Sequence, residues 1–414
     1  MNILLIGNGF DLAHKLPTKY TDFLDFIKVI YIKKDSVMQI VDMAMAESYP
    51  NLNPLIRRWF AEKNTTSESR YDLQRMQELV SNNIWVEYFL DKVADDGDRW
   101  VDFEGEILEV IKSLDYMKRI RGKKELNHHD LKKYELEKKL IRIIENANLY
   151  SNISLEGKRI KIDVNNLNEQ EYYNNIIKYL QGDLLRLIKC LEIYLVYCMD
   201  SKSIEERTTD IAELSIDKVV SFNYTDTFRL LYATNINSIE YDFIHGKVGD
   251  KDKFSFNIQD NNMVLGIDEY LDDSRKNIDV DYIQFKKYFQ RIHKETGCKY
   301  KMWIKEMQED DEKKYNEIIS IQPKADKEMT RKLCLRHNLY IFGHSLDVTD
   351  KDILKELILN ENVITTIFYL NKQVYAQQIA NLVKVIGQDE LIKRVSGPNK
   401  TIIFKKQQDM IPIE

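Results

Sequence analysis

Met1-Asn2-Ile3-Leu4-Leu5-Ile6-Gly7-Asn8-Gly9-Phe10-Asp11 opens the chain, and its reading decides the fold. An apolar run breaks abruptly into Gly-x-Gly, and a carboxylate follows two residues later. A buried parallel strand that ends in a phosphate-facing turn has this form. Gly7 permits a sharp turn, and Gly9 lets backbone come close to a phosphate or a ribose. The third glycine of the dinucleotide fingerprint is missing, with Leu12 in its place. A plain tight turn therefore stays open beside the phosphate-binding reading. Asp11 either accepts a sugar hydroxyl or caps the next helix.

Three later apolar runs end in the same way. Lys218-Val219-Val220-Ser221-Phe222 runs into Asn223-Tyr224-Thr225-Asp226. Residues 240–244 run into His245-Gly246-Lys247, and Leu339-Tyr340-Ile341-Phe342 runs into Gly343-His344-Ser345-Leu346-Asp347. Ligands of open α/β sheets bind at the carboxyl ends of the strands, so four polar turns can face one crevice. The Asn223 amide both donates and accepts, which suits it to place a water or a ribose hydroxyl. Histidine as a residue type titrates near neutrality, which suits His245 to acid–base chemistry. Structural readings stand beside these. Asn223 or Thr225 can cap the following helix, His245 can serve packing alone, and Asp347 or Thr349 can cap the helix after the last turn.

The spacing of apolar residues organises the rest. A helix is predicted over Tyr20–Ile32, and helical spacing recurs within 37–46, 84–93, 103–117, 131–147 and 172–199, with no convincing strand between 35 and 214. Strands return at 217 and near 240–244, 262–267, 339–342, 363–370 and 401–404. Helices alternate with them at about 226–233, 283–293, 350–359 and 375–386. The first strand has no companions nearby and must pair with strands more than 200 residues away. The expected fold class is α/β: a Rossmann-like, mostly parallel sheet with a large all-helical insertion after the first strand and helix. The expected domains are a discontinuous nucleotide-binding domain at 1–34 and 216–414, and a helical insertion at 35–215. Residues 172–199 are apolar on more than one face. They form either the central helix of the insertion or a surface for self-association or for a trigger.

Composition bounds the function. With 43% hydrophobic and 31% charged residues over 414 positions, the chain reads as a soluble globular protein. A net charge of −6 argues against a strongly basic nucleic-acid binder. None of the four cysteines forms Cys-x-x-Cys, which fits a reducing cytoplasm, and Cys190 and Cys198 read as small core residues. No signal peptide is evident, and the most apolar later window carries Arg186, Lys189 and Glu192, so no membrane span is expected. His128-His129 is a poor helical metal pair, and no zinc-protease, P-loop or nucleophile-elbow motif is present. No metal is expected. The charged stretch 118–139 reads as a solvated helix face.

Ile6-Gly7-Asn8-Gly9-Phe10-Asp11-Leu12-Ala13-His14-Lys15-Leu16-Pro17-Thr18-Lys19-Tyr20-Thr21-Asp22-Phe23-Leu24 closely resembles the opening motif of the AbiH family of phage abortive-infection proteins. Trp100-Val101-Asp102-Phe103-Glu104, Ser221-Phe222-Asn223-Tyr224-Thr225-Asp226, Ile244-His245-Gly246 and Phe342-Gly343-His344-Ser345-Leu346 resemble later motifs of that family, in the same order. The resemblance spans nearly the whole chain and implies a cytoplasmic antiphage defence protein. A weaker resemblance lies beneath it, to the sirtuin-like NAD-consuming domains of defence proteins, and rests on Gly7, Gly9, Leu16-Pro17, Asn223, His245, Gly343 and Ser345. It implies catalytic roles for Asn223 and His245. It also implies a ligand site built from Gly7, Asn8, Gly9, Phe10, Asp11, Thr18, Asp226, Gly343, His344 and Ser345. Thr225 stands where those domains carry an acid, Thr18 likewise, and no zinc ribbon is present, so protein deacetylation is not implied.

The function expected from both readings is an abortive-infection effector that hydrolyses NAD upon phage infection. A nucleotide-binding sensor or switch without turnover is the alternative, and Asp102-Phe103-Glu104 keeps a nuclease-type toxin in view. The expected partners are the nucleotide ligand, a phage-derived trigger protein and further copies of the chain.

Overall fold

The computed structural model describes residues 1–32, 67–96, 102–120, 153–156, 159–162, 169–198, 204–232, 239–249, 255–324, 336–398 and 400–413, with residues 57, 326 and 330. The helices expected within 37–46 and 131–147, the charged stretch beyond residue 120, Trp100, Val101, His128, His129 and Cys334 lie outside the described residues.

The elements, in chain order, are β1 (Asn2–Ile6), α1 (Asn8–Ala13), α2 (Tyr20–Ile32), α3 (Ser67–Val80), α4 (Ile84–Asp96), α5 (Phe103–Ile120), β2 (Ile153–Glu156), β3 (Arg159–Ile162) and α6 (Glu169–Cys198). They continue as β4 (Glu206–Thr208), α7 (Thr209–Ala212), β5 (Lys218–Ser221), α8 (Thr227–Tyr232), β6 (Glu240–Phe243), α9 (Lys287–His293) and α10 (Lys299–Ile321). The last are β7 (His337–Phe342), α11 (Lys351–Ile358), β8 (Val363–Tyr369), α12 (Lys372–Ile386), α13 (Gln388–Val395), β9 (Ile402–Lys406) and β10 (Met410–Pro412). The chain divides into two compact units. One holds Met1–Thr18, Asp200–Val248 and Lys294–Glu414; the other holds Lys19–Met199 and Gly249–His293.

The first unit is built on a six-stranded sheet in the order β6-β5-β1-β7-β8-β9. Every pairing in it is parallel. Numbered by their own succession these strands run 3-2-1-4-5-6, the doubly wound order whose switch point lies between the first and fourth strands, here β1 and β7. The six-strand parallel sheet and its helices bear out the Rossmann-like α/β expectation. β1 pairs with β5 at Ile6↔Ser221 and with β7 at Ile6↔Phe342. The strand met first is thus central and joined to partners more than 200 residues away. Because side chains alternate across a strand, Ile3 and Leu5 enter one apolar cluster and Leu4 and Ile6 the other. Burial on both faces is why β1 reads as an unbroken apolar run.

In the second unit, α6 lies against α2, α3 and α4. Ile176, Leu180, Leu184, Leu187, Ile188, Leu191 and Ile193 of α6 are all buried. The apolar faces that suggested an association surface are covered within the chain. Phe103 stacks on Phe89 at 4.0 Å and on Tyr20 at 4.3 Å, and Asp183 accepts a 2.8 Å hydrogen bond from the Ile84 amide at the start of α4.

Three features depart from the expected elements. Antiparallel β2–β3 falls inside the stretch read as wholly helical, and β4 pairs with β10. The alternation Ile153-Ser154-Leu155 and Ile160-Lys161-Ile162 is a strand signal too short to stand out among helices. Residues 262–267 are not a sheet strand. Residues 263–267 are buried, make a single parallel bridge at Ile267 to Lys286, and are clamped at Leu265 by both side-chain polar atoms of Gln290. Finally, α10 and α13 were not foreseen. Their charge-rich, one-sided patterns bury only a narrow stripe, Tyr300, Trp303, Met307 and Asp311 in α10 and Leu391 in α13.

Candidate functional site

All the turns singled out in the sequence lie in the first unit, at the carboxyl ends of β1, β5, β6 and β7. The β1–α1 turn is packed against the turn after β7. The Gly9 amide donates to the Gly343 carbonyl at 2.8 Å, and the Gly7 amide to the Phe342 carbonyl at 3.2 Å. A Cβ on Gly7 would lie 2.9 Å from the Gly343 oxygen, and one on Gly9 would lie 2.8 Å from it. A Cβ on Gly343, where φ is +70°, would fall 2.1 Å from the Phe10 nitrogen. The close approach these glycines permit is thus of one backbone to another. The Gly9 amide is already committed to Gly343.

Asp11 projects from the first turn of α1 and is 1% exposed. Thr225 Oγ1 donates to its Oδ2 at 2.5 Å, and Thr227 Oγ1 donates to Thr225 Oγ1 at 3.1 Å. Burial drives the Asp11 pKa up to about 6, while the Thr225 and Thr227 hydroxyls, and the Asn223 amide close by but outside hydrogen-bond geometry, oppose that rise. Asn223 follows β5, where Ser221 Oγ accepts from its backbone amide at 3.2 Å. Its side chain is 5% exposed, and neither its Oδ1 nor its Nδ2 completes a hydrogen bond; Asp11 Oδ1 also lacks a partner. Leaving such groups buried and unmet costs about 1–3 kcal/mol each, so this concentration is costly unless something completes it.

The turns after β6 and β7 share a carboxylate. His245 Nε2 lies 3.6 Å from Asp350 Oδ1, and His344 Nε2 lies 3.4 Å from Asp350 Oδ2. Phe222 packs edge-on against both imidazoles, at 4.4 Å from His344 and 5.5 Å from His245 between ring centres. Leu346, with φ at +58° and no exposure, is a buried residue in the left-handed region, where leucine is strained. Helix α12 holds this loop from behind. Gln378 Nε2 donates to the His344 carbonyl at 3.2 Å and Asn381 Nδ2 to that of Ser345 at 2.9 Å.

The remaining expected residues are placed as follows. Asn8 Nδ2 donates to the Thr18 carbonyl at 3.1 Å, which folds the post-helix turn back on α1; the Thr18 hydroxyl is buried without a partner. Phe10 is wholly buried among Phe228, Tyr232 and Phe342 and serves the core. Asp226 Oδ2 is shared by Lys247 at 3.3 Å and Arg229 at 3.4 Å. Ser345 is exposed and contributes its carbonyl to Asn381. Asp347 does cap the single 3₁₀ turn that follows, accepting from the Thr349 amide at 3.1 Å. The motif's His14 is structural: its Nδ1–H donates to the Phe10 carbonyl at 2.7 Å and its Nε2 accepts from Tyr232 at 2.8 Å. Asp102 lies beside Gly105, and Glu104 pairs with Lys287 at 2.6 Å, both in the helical unit. Cys190 is buried, its thiol pushed up to about 12 by burial.

Sequence reasoning passed over Asp350, Thr227, Gln378 and Asn381. Asp350 looked like an ordinary first-turn acid. Gln378 and Asn381 carry a signal in the sequence, two amides three apart on the otherwise apolar inward face of α12. Among the described residues no group of three His, Cys, Asp or Glu side chains is placed to hold a metal ion, and no helix is long and apolar enough to cross a membrane.

Against known families, the model described as "Bacteriophage abortive infection AbiH" matches residues 3–370. No curated protein matches the chain.

Proposed function

Because the chain belongs to the AbiH family of bacteriophage abortive-infection proteins, which implies a role in phage defence, we propose that its effector chemistry is hydrolysis of NAD at the Asp11–Asn223–His245 site. One observation carries the reading: a fully buried Asn223 amide with unmet hydrogen-bonding capacity, next to a carboxylate with an open oxygen, at the carboxyl edge of a doubly wound sheet. These are groups that bind a ribose hydroxyl and hold a water.

In this reaction the bond between ribose C1′ and the nicotinamide nitrogen breaks, and its electron pair neutralises the pyridinium. A water oxygen bonds to C1′, giving ADP-ribose. Positive charge develops on the ribose before water arrives, and a buried carboxylate stabilises it far better than solvent would. Asp11, with a pKa near 6, is largely ionised at neutral pH and can accept a ribose hydroxyl. Asn223 orients the water, and His245 takes its proton. Lys247 and Arg229, gathered on Asp226, supply positive charge at the same edge for phosphates, since the Gly9 amide is committed elsewhere. Purified protein, alone and with phage lysate, is incubated with NAD and followed by chromatography. Nicotinamide and ADP-ribose in equal amounts support the reading. Tight binding without product reduces the site to a nucleotide switch.

A further inference from the structure

Two histidines from different strand ends face one carboxylate at ion-pair distance, and the polar groups around each ring bear on which nitrogen carries its proton. The Leu346 amide donates to His344 Nδ1 at 2.9 Å. That nitrogen must therefore present a lone pair, and the neutral ring carries its proton on Nε2. His344 Nε2 faces Asp350 Oδ2 at 3.4 Å, so His344 is the donor of that contact. The loop that sets this geometry is over-determined. Gly343 and Leu346 both sit at positive φ, and Gln378 and Asn381 hold the carbonyls of His344 and Ser345. His344 is not free to turn its ring without breaking the Leu346 contact.

With one carboxylate oxygen occupied by His344, the other faces His245 Nε2 at 3.6 Å. A carboxylate only accepts, so its field at 3.6 Å favours the neutral His245 tautomer with the proton on Nε2 and the lone pair on Nδ1. We propose that Asp350 is the positioning residue of this site. Anchored through the locked His344, it sets the tautomer and ring orientation of His245 so that Nδ1 is the atom that takes a proton. This is the arrangement by which a carboxylate directs a histidine base. The step deepens the hydrolase reading and rests on it for the proton's origin; the tautomer itself does not depend on any substrate.

Asp350→Asn separates the idea from simple packing, because an amide has one accepting and one donating end. His344, pinned by Leu346, keeps its Nε2–H and takes the Asn oxygen. The Asn NH₂ then faces His245 Nε2, which must give up its proton, and His245 switches to the Nδ1–H form. Long-range ¹⁵N–¹H spectra of the full chain labelled in histidine report the tautomer directly, with His245→Gln and His344→Gln assigning the signals. The expected result is a reversal of the His245 nitrogen pattern in Asp350→Asn and an unchanged His344 pattern, with the melting transition kept. An unchanged His245 pattern, or a switch at His344 instead, overturns the proposal. A second variant, Asp350→Glu, keeps the carboxylate and should keep the wild-type tautomer. In the NAD assay Asp350→Asn should lower kcat about 100-fold with KM within about twofold. If wild type consumes no NAD, the hydrolase reading fails while the spectra still decide the role of Asp350.

Discussion

Thr225 Oγ1 donates a 2.5 Å hydrogen bond to Asp11 Oδ2 across 214 residues of sequence, joining the first turn of the chain to the turn after β5. The side chain that Thr225 sets beside Asp11 is a neutral hydroxyl. An acid there would set two carboxylates against each other in a buried site; threonine instead gives Asp11 a donor and leaves Oδ1 open.

Asp11 should make folding stability depend on pH in an unusual direction. Its folded pKa of about 6 lies above the ordinary value of 3.8, so the fold favours the protonated acid. The contribution is complete below about pH 4 and is lost as pH rises through 6, by roughly 2–3 kcal/mol. Asp11→Asn should therefore be more stable than wild type at pH 7.5 and no more stable at pH 4. Urea unfolding at both pH values measures the difference.

His14 pulls the other way. Burial holds its pKa below 6.5 despite the Phe10 carbonyl, so protonation favours the unfolded chain. Its contribution is present at neutral pH and is lost as pH falls below 6.5. His14→Ala should cost about 2 kcal/mol at pH 7.5 through the lost bonds to Phe10 and Tyr232, with a smaller penalty at pH 5. Thermal melts of both proteins at the two pH values test this.

Asn223→Ala should separate stability from function. It removes buried polar atoms that no protein group satisfies, so the melting temperature should stay level or rise, by the equivalent of about 1 kcal/mol. NAD turnover should fall by at least about 100-fold. A clear loss of stability would mean that the amide is structural.

Gly343→Ala tests the backbone contact. The new Cβ would meet the Phe10 nitrogen at 2.1 Å and the residue would sit at φ +70°. Crowding and strain together predict a loss of about 3–5 kcal/mol or failure to fold. Gly397→Ala, which shares the positive φ but meets nothing within 4 Å, is the control. Soluble yield and melting temperature are the readouts.

The fold was largely legible in the sequence because β1, β5 and β7 are buried on both faces, and only such a strand gives an unbroken apolar run that stops at a polar turn. The polar turns that carry the candidate residues could be placed for the same reason. What could not be read was which contacts the turns make. Gly7 and Gly9 look alike whether they face a phosphate or, as here, the backbone of Gly343. Phe10 sits inside the motif yet belongs to the core. Asp350 and Gln378 lie against residues 105 and 34 positions away, Asp350 against His245 and Gln378 against His344, and nothing local marks them. The β2–β3 hairpin was hidden by its brevity.

The most direct test of the central claim is NAD turnover by the purified full-length chain, wild type beside Asn223→Ala and His245→Ala, with and without phage lysate. The account predicts matched release of nicotinamide and ADP-ribose by wild type in at least one condition, and loss of both products in the two variants. No NAD loss by wild type under any trigger, or equal loss in all three proteins, would contradict it.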